Sequence, residues 1–186
     1  DHRDLHSFPT RRSSDLGDVL DVGSGDGAAA GYLAPYCRSL TCVDASARMI
    51  DAAKQRLSRH ENVTARVADV HDLPFRAGSF DSVVVFHTLT YAEHPQRALE
   101  ECARVLRPGG RLVLLSLDHH EQLEITAPYG ERHPGFSPRT LRGLFARAGL
   151  AVSFCEVACR EAKKPHFEVV LAVAHKSKPS KNAKSG

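Results

Sequence analysis

Apolar residues along this chain fall into short β-like runs that alternate with stripes at helical spacing. The run Asp18-Val-Leu-Asp-Val22 predicts a short buried strand, which leads into the glycine-dense turn Gly23-Ser-Gly-Asp-Gly27. A helix then opens near Asp26 and carries Ala28, Ala29, Ala30, Tyr32 and Leu33. Leu40-Thr-Cys-Val-Asp44 predicts a second strand, and Ser46 caps a helix over 47–59 with Met49, Ile50, Ala53 and Leu57 on one stripe. Residues 63–68 alternate as a third strand that ends at Asp69, and Phe80-Asp-Ser-Val-Val-Val-Phe86 is a β-branched run suited to a central parallel strand. A helix over 94–106 follows, stopped by Pro108-Gly-Gly110, which turns into a fifth strand over 111–117. Ser137-Pro138 is an N-cap with proline at the first helical position, and this helix runs to Ala148 before Gly149 terminates it. Strands six (150–158) and seven (167–175) are separated only by residues 159–166, too few for a helical crossover, so they pair antiparallel. Elsewhere β and α alternate, which predicts an α/β, doubly wound sheet that is mostly parallel with an antiparallel last strand.

Residues 1–16 have no such period, and His6–Leu16 matches one reading frame of a common sequencing adapter. They are read as a non-native extension, with one domain over 17–175 and a disordered basic tail over 176–186. The net charge of +3 owes much to lysines in that tail, where no aromatics interleave to stack on nucleic acid. The five cysteines are odd in number and show no CxxC spacing, which fits reduced core residues and a cytoplasmic setting. No apolar run approaches the ~20 residues of a membrane span.

Ligands of doubly wound sheets sit beyond the carboxyl ends of the strands, where Asp21, Asp44 and Asp69 stand in one register. Asp44 is placed to accept from ribose hydroxyls, Asp69 from an exocyclic amine with Val70 at the ring edge, and Asp21 faces the glycine turn, where an ammonium would be favoured. For any one acid alone, a capping or surface role competes equally. A dinucleotide site wants Gly-x-Gly-x-x-Gly, but here the third glycine comes one residue early, at Gly27, and Asp26 places a negative charge at the helix start. The turn therefore suits a phosphate-free, zwitterionic nucleoside such as S-adenosyl-L-methionine.

In their order, VLDVGSGDG, CVDAS, ADVHDLPF, FDSVVVFHTLTYAEHP and RVLRPGG resemble class I S-adenosylmethionine-dependent methyltransferases of the ubiquinone/menaquinone type, with a methyltransferase type 11 domain. The resemblance covers about residues 17–175. It implies a Rossmann-like seven-stranded sheet with a reversed final strand, and a methyltransferase that uses S-adenosylmethionine. It also implies that Asp21, Gly23 and Gly25 line the methionine end, with Ser24 and Gly27 also among the cofactor-binding residues, that Asp44 takes the ribose, and that Ala45 and Met49 pack near the adenine. Asp69 and Val70 would read the adenine edge, and Phe86 and His87 would close the site. More narrowly, LDHHEQLEITAPYGERHPGFSP with the AGL turn and KKPHFEVVLA is similar to methyltransferase domains fused behind ArsR-type winged-helix regulators. Nucleic acid would then be met only through a regulator domain preceding this segment.

Methyl transfer from a sulfonium needs an aligned acceptor, exclusion of water and, for a protonated acceptor, a base. His87 and Tyr91 are the expected catalytic residues, and His119, His120 and His133 are further candidates. The stretch Asp118–Phe136 is read as a lid over a small-molecule acceptor, in preference to a metal site, and Cys155 and Cys159 as core filling. The acceptor itself is not legible, and Phe86, Tyr91, Tyr129 and Phe136 offer most of the ring surface. The competing function is a module that senses the cofactor or its demethylated product for a fused regulator; a nicotinamide dehydrogenase is disfavoured by the glycine spacing.

Overall fold

A computed structural model of the chain describes residues 16–178. The apolar runs become β1 (Asp18–Val22), β2 (Ser39–Asp44), β3 (Val63–Val67), β4 (Phe80–Phe86), β5 (Leu106–Leu117), β6 (Leu150–Arg160) and β7 (Glu168–Lys176). They form one sheet in the order β3-β2-β1-β4-β5-β7-β6. Every pairing is parallel except those of β7, which runs antiparallel to both β5 and β6. The doubly wound sheet with a reversed last strand is therefore the observed one.

β1 is buried on both sides, so its side chains feed two cores. Val19 packs with Leu40 and Cys42 against Ala30 of α1 (Ala28–Leu33) and against Ala53 of α2 (Ala47–Arg56). On the opposite face, Leu20 and Val22 join Leu99 of α3 (Pro95–Val105). Leu141 and Phe145 of α5 (Pro138–Arg147) belong to this second core, whereas the short α4 (Leu123–Thr126) lies in the segment after β5. The chain winds outward from β1 in one direction and from β4 in the other. The adjacent ends of β1 and β4 are thus the switch point, where a crevice forms because neighbouring connections leave to opposite faces.

Several boundaries depart from the sequence expectations. α2 stops at Arg56, three residues before the expected Arg59, and the lid stretch contains α4 and a 3-10 turn over Ala127–Tyr129. Pro108-Gly-Gly110 does not precede β5 but lies within it. Leu106 already pairs with Phe80, and Arg111 with Ser82, so Arg107–Gly110 bulge out between these two pairs. The bulge delivers the Arg107 guanidinium to Asp81 (2.7 Å) and Asp18 (3.1 Å), and Arg38 also pairs with Asp18. These ion pairs hold the Asp18 carboxyl far below its usual range, Arg38 contributing most. Four cysteines are buried as expected, but Cys159 is exposed, because the far end of edge strand β6 leaves the core.

Residues 1–15 of the expected extension and 179–186 of the expected tail lie outside the described residues. Lys176, taken from sequence as the first tail residue, is the last residue of β7. Its Nζ donates to the carbonyls of Ala103 (2.7 Å) and Arg104 (3.3 Å) in the last turn of α3 and of Leu106 (2.8 Å) just beyond it, where a helix leaves carbonyls without intrahelical partners. Lys176→Met should remove this cap and lower stability by about 1–2 kcal/mol in urea denaturation, with no change in the slope of the transition.

Candidate functional site

Beyond the ends of β1, β2 and β4 lies a crevice of about 670 Å³. β1 delivers the chain to Gly23, whose φ is +70°, and Thr88 Oγ1 donates to Val22 O (2.9 Å) immediately beneath it. The turn then passes Gly25, at φ +55°, where a Cβ would meet nothing within 4 Å. Backbone is therefore bare toward the crevice at that point. Gly27 serves packing instead. A methyl group there would stand 2.7 Å from Leu57 Cδ1, so its lack of a side chain lets α1 pack against the residue that follows α2.

Asp44 ties the turn to β2. Its Oδ2 accepts from Gly25 N (3.0 Å) and its Oδ1 from Ser46 N (2.8 Å). Each oxygen keeps a lone pair for a ligand. Asp26 closes the start of α1, because its Oδ1 accepts from Ala28 N (3.2 Å) and its Oδ2 pairs with Arg56 at 2.5 Å. A phosphate would meet a carboxylate there, contrary to the usual anion site at a helix N-terminus.

Of the residues expected around a ligand, Gly23, Gly25, Asp44, Ala45, Met49, Asp69, Val70, Phe86 and His87 line the crevice, as does Tyr91. Asp21, Ser24 and Gly27 do not. Asp21 is only 2% exposed, and its Oδ2 finds no hydrogen-bond partner among the described residues. Burial, with the Asp44 charge adding to it, pushes its carboxyl up to about 7. Cys42, paired with Asp21 in the β1–β2 register, is pushed up to about 12 by burial, so the neighbouring thiol is no competing base. Sequence reasoning missed Ser46, His71 and Thr88 as ligand-facing residues, yet all three line the crevice, as does Tyr129, which was expected to offer ring surface to the acceptor. Ser46 was visible as a helix cap. His71 and Thr88 sit in loops without period, where no signal separates a wall residue from an ordinary turn.

His87 and Tyr91 both line the crevice. His87 holds φ +54°, a left-handed conformation costly for a non-glycine residue, which recurs where function over-determines the backbone. Although solvent reaches its ring, partial burial lowers the His87 pKa, against the opposing charges of Glu131 and Glu161. His120 and His133 are drawn elsewhere. His120 packs on Phe167 with ring centroids 4.7 Å apart, and His133 Nε2 lies 2.9 Å from Ala92 O. Phe136 is buried in the core, which leaves Phe86, Tyr91 and Tyr129 as the crevice's aromatic surface. Among the described residues, no three His, Cys, Asp or Glu side chains converge as metal ligands, and no helix is long and apolar enough to cross a membrane.

Glu131 escaped the sequence reading altogether. The N–H groups of Arg132 (2.9 Å) and His133 (3.1 Å) both donate to Thr90 O, which fastens the lid stretch over the segment after β4. Glu131 is thereby held near Tyr91, and its Oε2 is buried without a partner among the described residues. Its charge adds to the burial that raises the Tyr91 pKa and pulls upward against the burial that lowers those of His87 and His120. Glu131→Gln should therefore move the His87 titration midpoint downward in a histidine-resolved NMR titration. An unmoved midpoint would separate the two groups.

Residues 20–114, just over half the chain, match the family model described as methyltransferase domain. A demethylmenaquinone methyltransferase from Tropheryma whipplei is 40% identical over 102 residues, 55% of this chain and 42% of that protein. An uncharacterised 37.1 kDa transposon protein from Streptomyces fradiae is 35% identical over 152 residues, 72% of this chain and 43% of its own length. The chain thus spans less than half the length of these relatives. Among solved structures, a SAM-dependent methyltransferase from Methanosarcina mazei superimposes with a TM-score of 0.74 at 20% identity, over 95% of this chain and all of that one; it shares the fold. Motifs, family match and sheet topology agree, and the chain belongs to the class I S-adenosylmethionine-dependent methyltransferases.

Proposed function

We propose that this domain binds S-adenosylmethionine in the crevice and transfers its methyl group to a small-molecule acceptor. The observation that carries the reading is the pairing of two strand-end carboxylates, Asp44 and Asp69, in one crevice whose adjoining helix start is already taken by the Asp26 carboxylate, which disfavours a phosphate. The buried, unpartnered Oδ2 of Asp21 behind the glycine turn fits a ligand ammonium. When bound, the cofactor supplies an electrophilic methyl group on a sulfonium.

The protein's own residues divide the work of binding and alignment. Gly25, beside Gly23 in the same turn, lets the methionine end approach the backbone, and Asp44 accepts from the ribose hydroxyls. Ala45 and Met49 flank the adenine, while Asp69 and Val70 meet its edge. His87 takes the acceptor's proton, suited to this by partial burial that favours its neutral form. Phe86, Tyr91 and Tyr129 provide ring surface for the acceptor and exclude water. A small acceptor is supported by relatives named as demethylmenaquinone methyltransferases. Buried free cysteines support a cytoplasmic setting. The ligand-sensing alternative is not favoured, because the relatives carry methyltransferase names.

Calorimetry with S-adenosylhomocysteine and NAD tests the site. Binding of the first alone is expected, and binding of NAD alone would overturn the reading. Asp44→Ala should weaken S-adenosylhomocysteine binding by about 1–3 kcal/mol. Unchanged affinity would remove Asp44 from the ribose.

A further inference from the structure

His71 follows the two residues expected at the adenine edge, and no sequence signal marked it. In the structure it lines the crevice beside Asp69 and supplies both hydrogen bonds that reach the Asp69 carboxylate from the described residues. The His71 backbone N donates to Asp69 Oδ1 at 2.9 Å, and the ring Nδ1 lies 2.7 Å from the same oxygen. The other ring nitrogen, Nε2, lies 3.1 Å from the backbone N of His94, the N-cap residue just before α3. A backbone N–H can only donate, so Nε2 must be bare and the ring proton must sit on Nδ1, where it donates to Asp69. The tautomer is therefore set by the fold.

The ring is itself clamped. Arg97 Nε donates to the His71 carbonyl at 3.0 Å, and the His71 and His94 rings meet edge to face at 5.9 Å. The His71 side chain is 16% exposed, whereas that of Asp69 is 65% exposed. An exposed carboxylate on a loop ordinarily samples several rotamers. Here Oδ1 is pinned to a clamped donor, which leaves Oδ2 for a ligand.

We propose that His71 is a positioning residue that locks the Asp69 carboxylate to the wall, so that the site selects a purine bearing an amino group over one bearing an oxo group at the same position. The inference rests on the cofactor reading above. An ionised carboxylate only accepts hydrogen bonds, so a purine amine satisfies it and a purine carbonyl faces it acceptor to acceptor. A freely rotating Asp69 could turn away from the oxo group; a locked one cannot. Discrimination therefore depends on the lock as well as on the charge.

The test is calorimetry of the full chain with S-adenosylhomocysteine and S-inosylhomocysteine, alongside melting temperatures. The wild type should prefer the adenosyl ligand by about tenfold or more. His71→Gln places an amide near the position of Nε2, keeping contact with His94 while losing the ring donor to Asp69, so that only the backbone N–H of residue 71 still reaches Oδ1. It should weaken adenosyl binding about five- to tenfold and bring the ratio of the two affinities toward one. His71→Asn places its amide near Nδ1 and should restore much of the wild-type ratio. A wild-type ratio in His71→Gln overturns the proposal, even if the melting temperature falls, since a purely structural role moves stability and not selectivity. Loss of the ratio in both variants also overturns it, because the donor at Nδ1 would then not be the cause. Binding of neither ligand by the wild type would instead bring down the cofactor reading, a distinct and recognisable result.

Discussion

Gly23→Ala should destabilise the domain by about 2–5 kcal/mol, whereas Gly25→Ala should cost only about 1–2 kcal/mol and act chiefly on ligand binding. The two glycines share a turn and a left-handed φ, +70° and +55°, but not their surroundings. A Cβ on Gly23 would run into the Thr88 side chain, 2.7 Å from its Cβ, where Thr88 Oγ1 is already engaged with Val22 O. Strain and overlap then add. A Cβ on Gly25 meets nothing within 4 Å, so only the backbone strain remains, and the methyl group projects toward the crevice. Urea denaturation should separate the variants by stability. Calorimetry with S-adenosylhomocysteine should show at least about a tenfold loss for Gly25→Ala despite its fold being kept, on the scale of one to two unfavourable van der Waals contacts with a close-packed ligand. Wild-type affinity in Gly25→Ala would mean that no ligand approaches the backbone there. In the Gly23→Ala background, Thr88→Ala should recover part of the lost stability.

Asp21→Asn should make the ligand-free domain more stable above neutral pH while weakening ligand binding. The Asp21 carboxyl is raised from 3.8 to about 7 by burial first and by the Asp44 charge second. For an acid raised in the folded state, the stabilisation relative to its ionised form is whole below the unfolded pKa and is lost as pH climbs through the folded one. Between 3.8 and about 7 the loss approaches about 4 kcal/mol, at about 1.4 kcal/mol per pH unit. The wild type should therefore lose stability from pH 4 to pH 7 through this group, and Asp21→Asn should flatten that part of the profile. An ammonium brought against Asp21 would ionise it, so S-adenosylhomocysteine binding near pH 6.5 should release a proton in wild type and not in Asp21→Asn. Buffer-dependent calorimetric enthalpies read this directly. Lower stability of Asp21→Asn at pH 8 would mean that Asp21 already has a partner in the ligand-free fold. A charge retained at the expense of stability is how a binding site differs from a core position.

Much of this protein is local, and the local part was legible. β-branched runs, helical stripes and caps such as Ser46 and Ser137 follow from steric and hydrogen-bonding preferences within a few residues, so strands, helices and the antiparallel last pair could be read directly. The glycine turn and the strand-end acids were equally visible, because the parallel winding of β1, β2, β3 and β4 puts their carboxyl ends on one edge. What tertiary structure alone decided concerns which atoms remain free after the chain has satisfied itself. Asp44 and Asp69 both line the crevice but arrive partly occupied by backbone and ring donors, whereas Asp21 is buried without a partner among the described residues. Arg107 bulges out of β5 to reach Asp18 and Asp81, and Lys176 turns from tail to helix cap, through partners distant in sequence. Glu131 and His71 sit in loops where period carries no information, and their roles arise only from contacts closed by the fold. Spacing along a chain can say which residues share an edge; the competition among hydrogen-bond partners that settles their availability is resolved only in three dimensions.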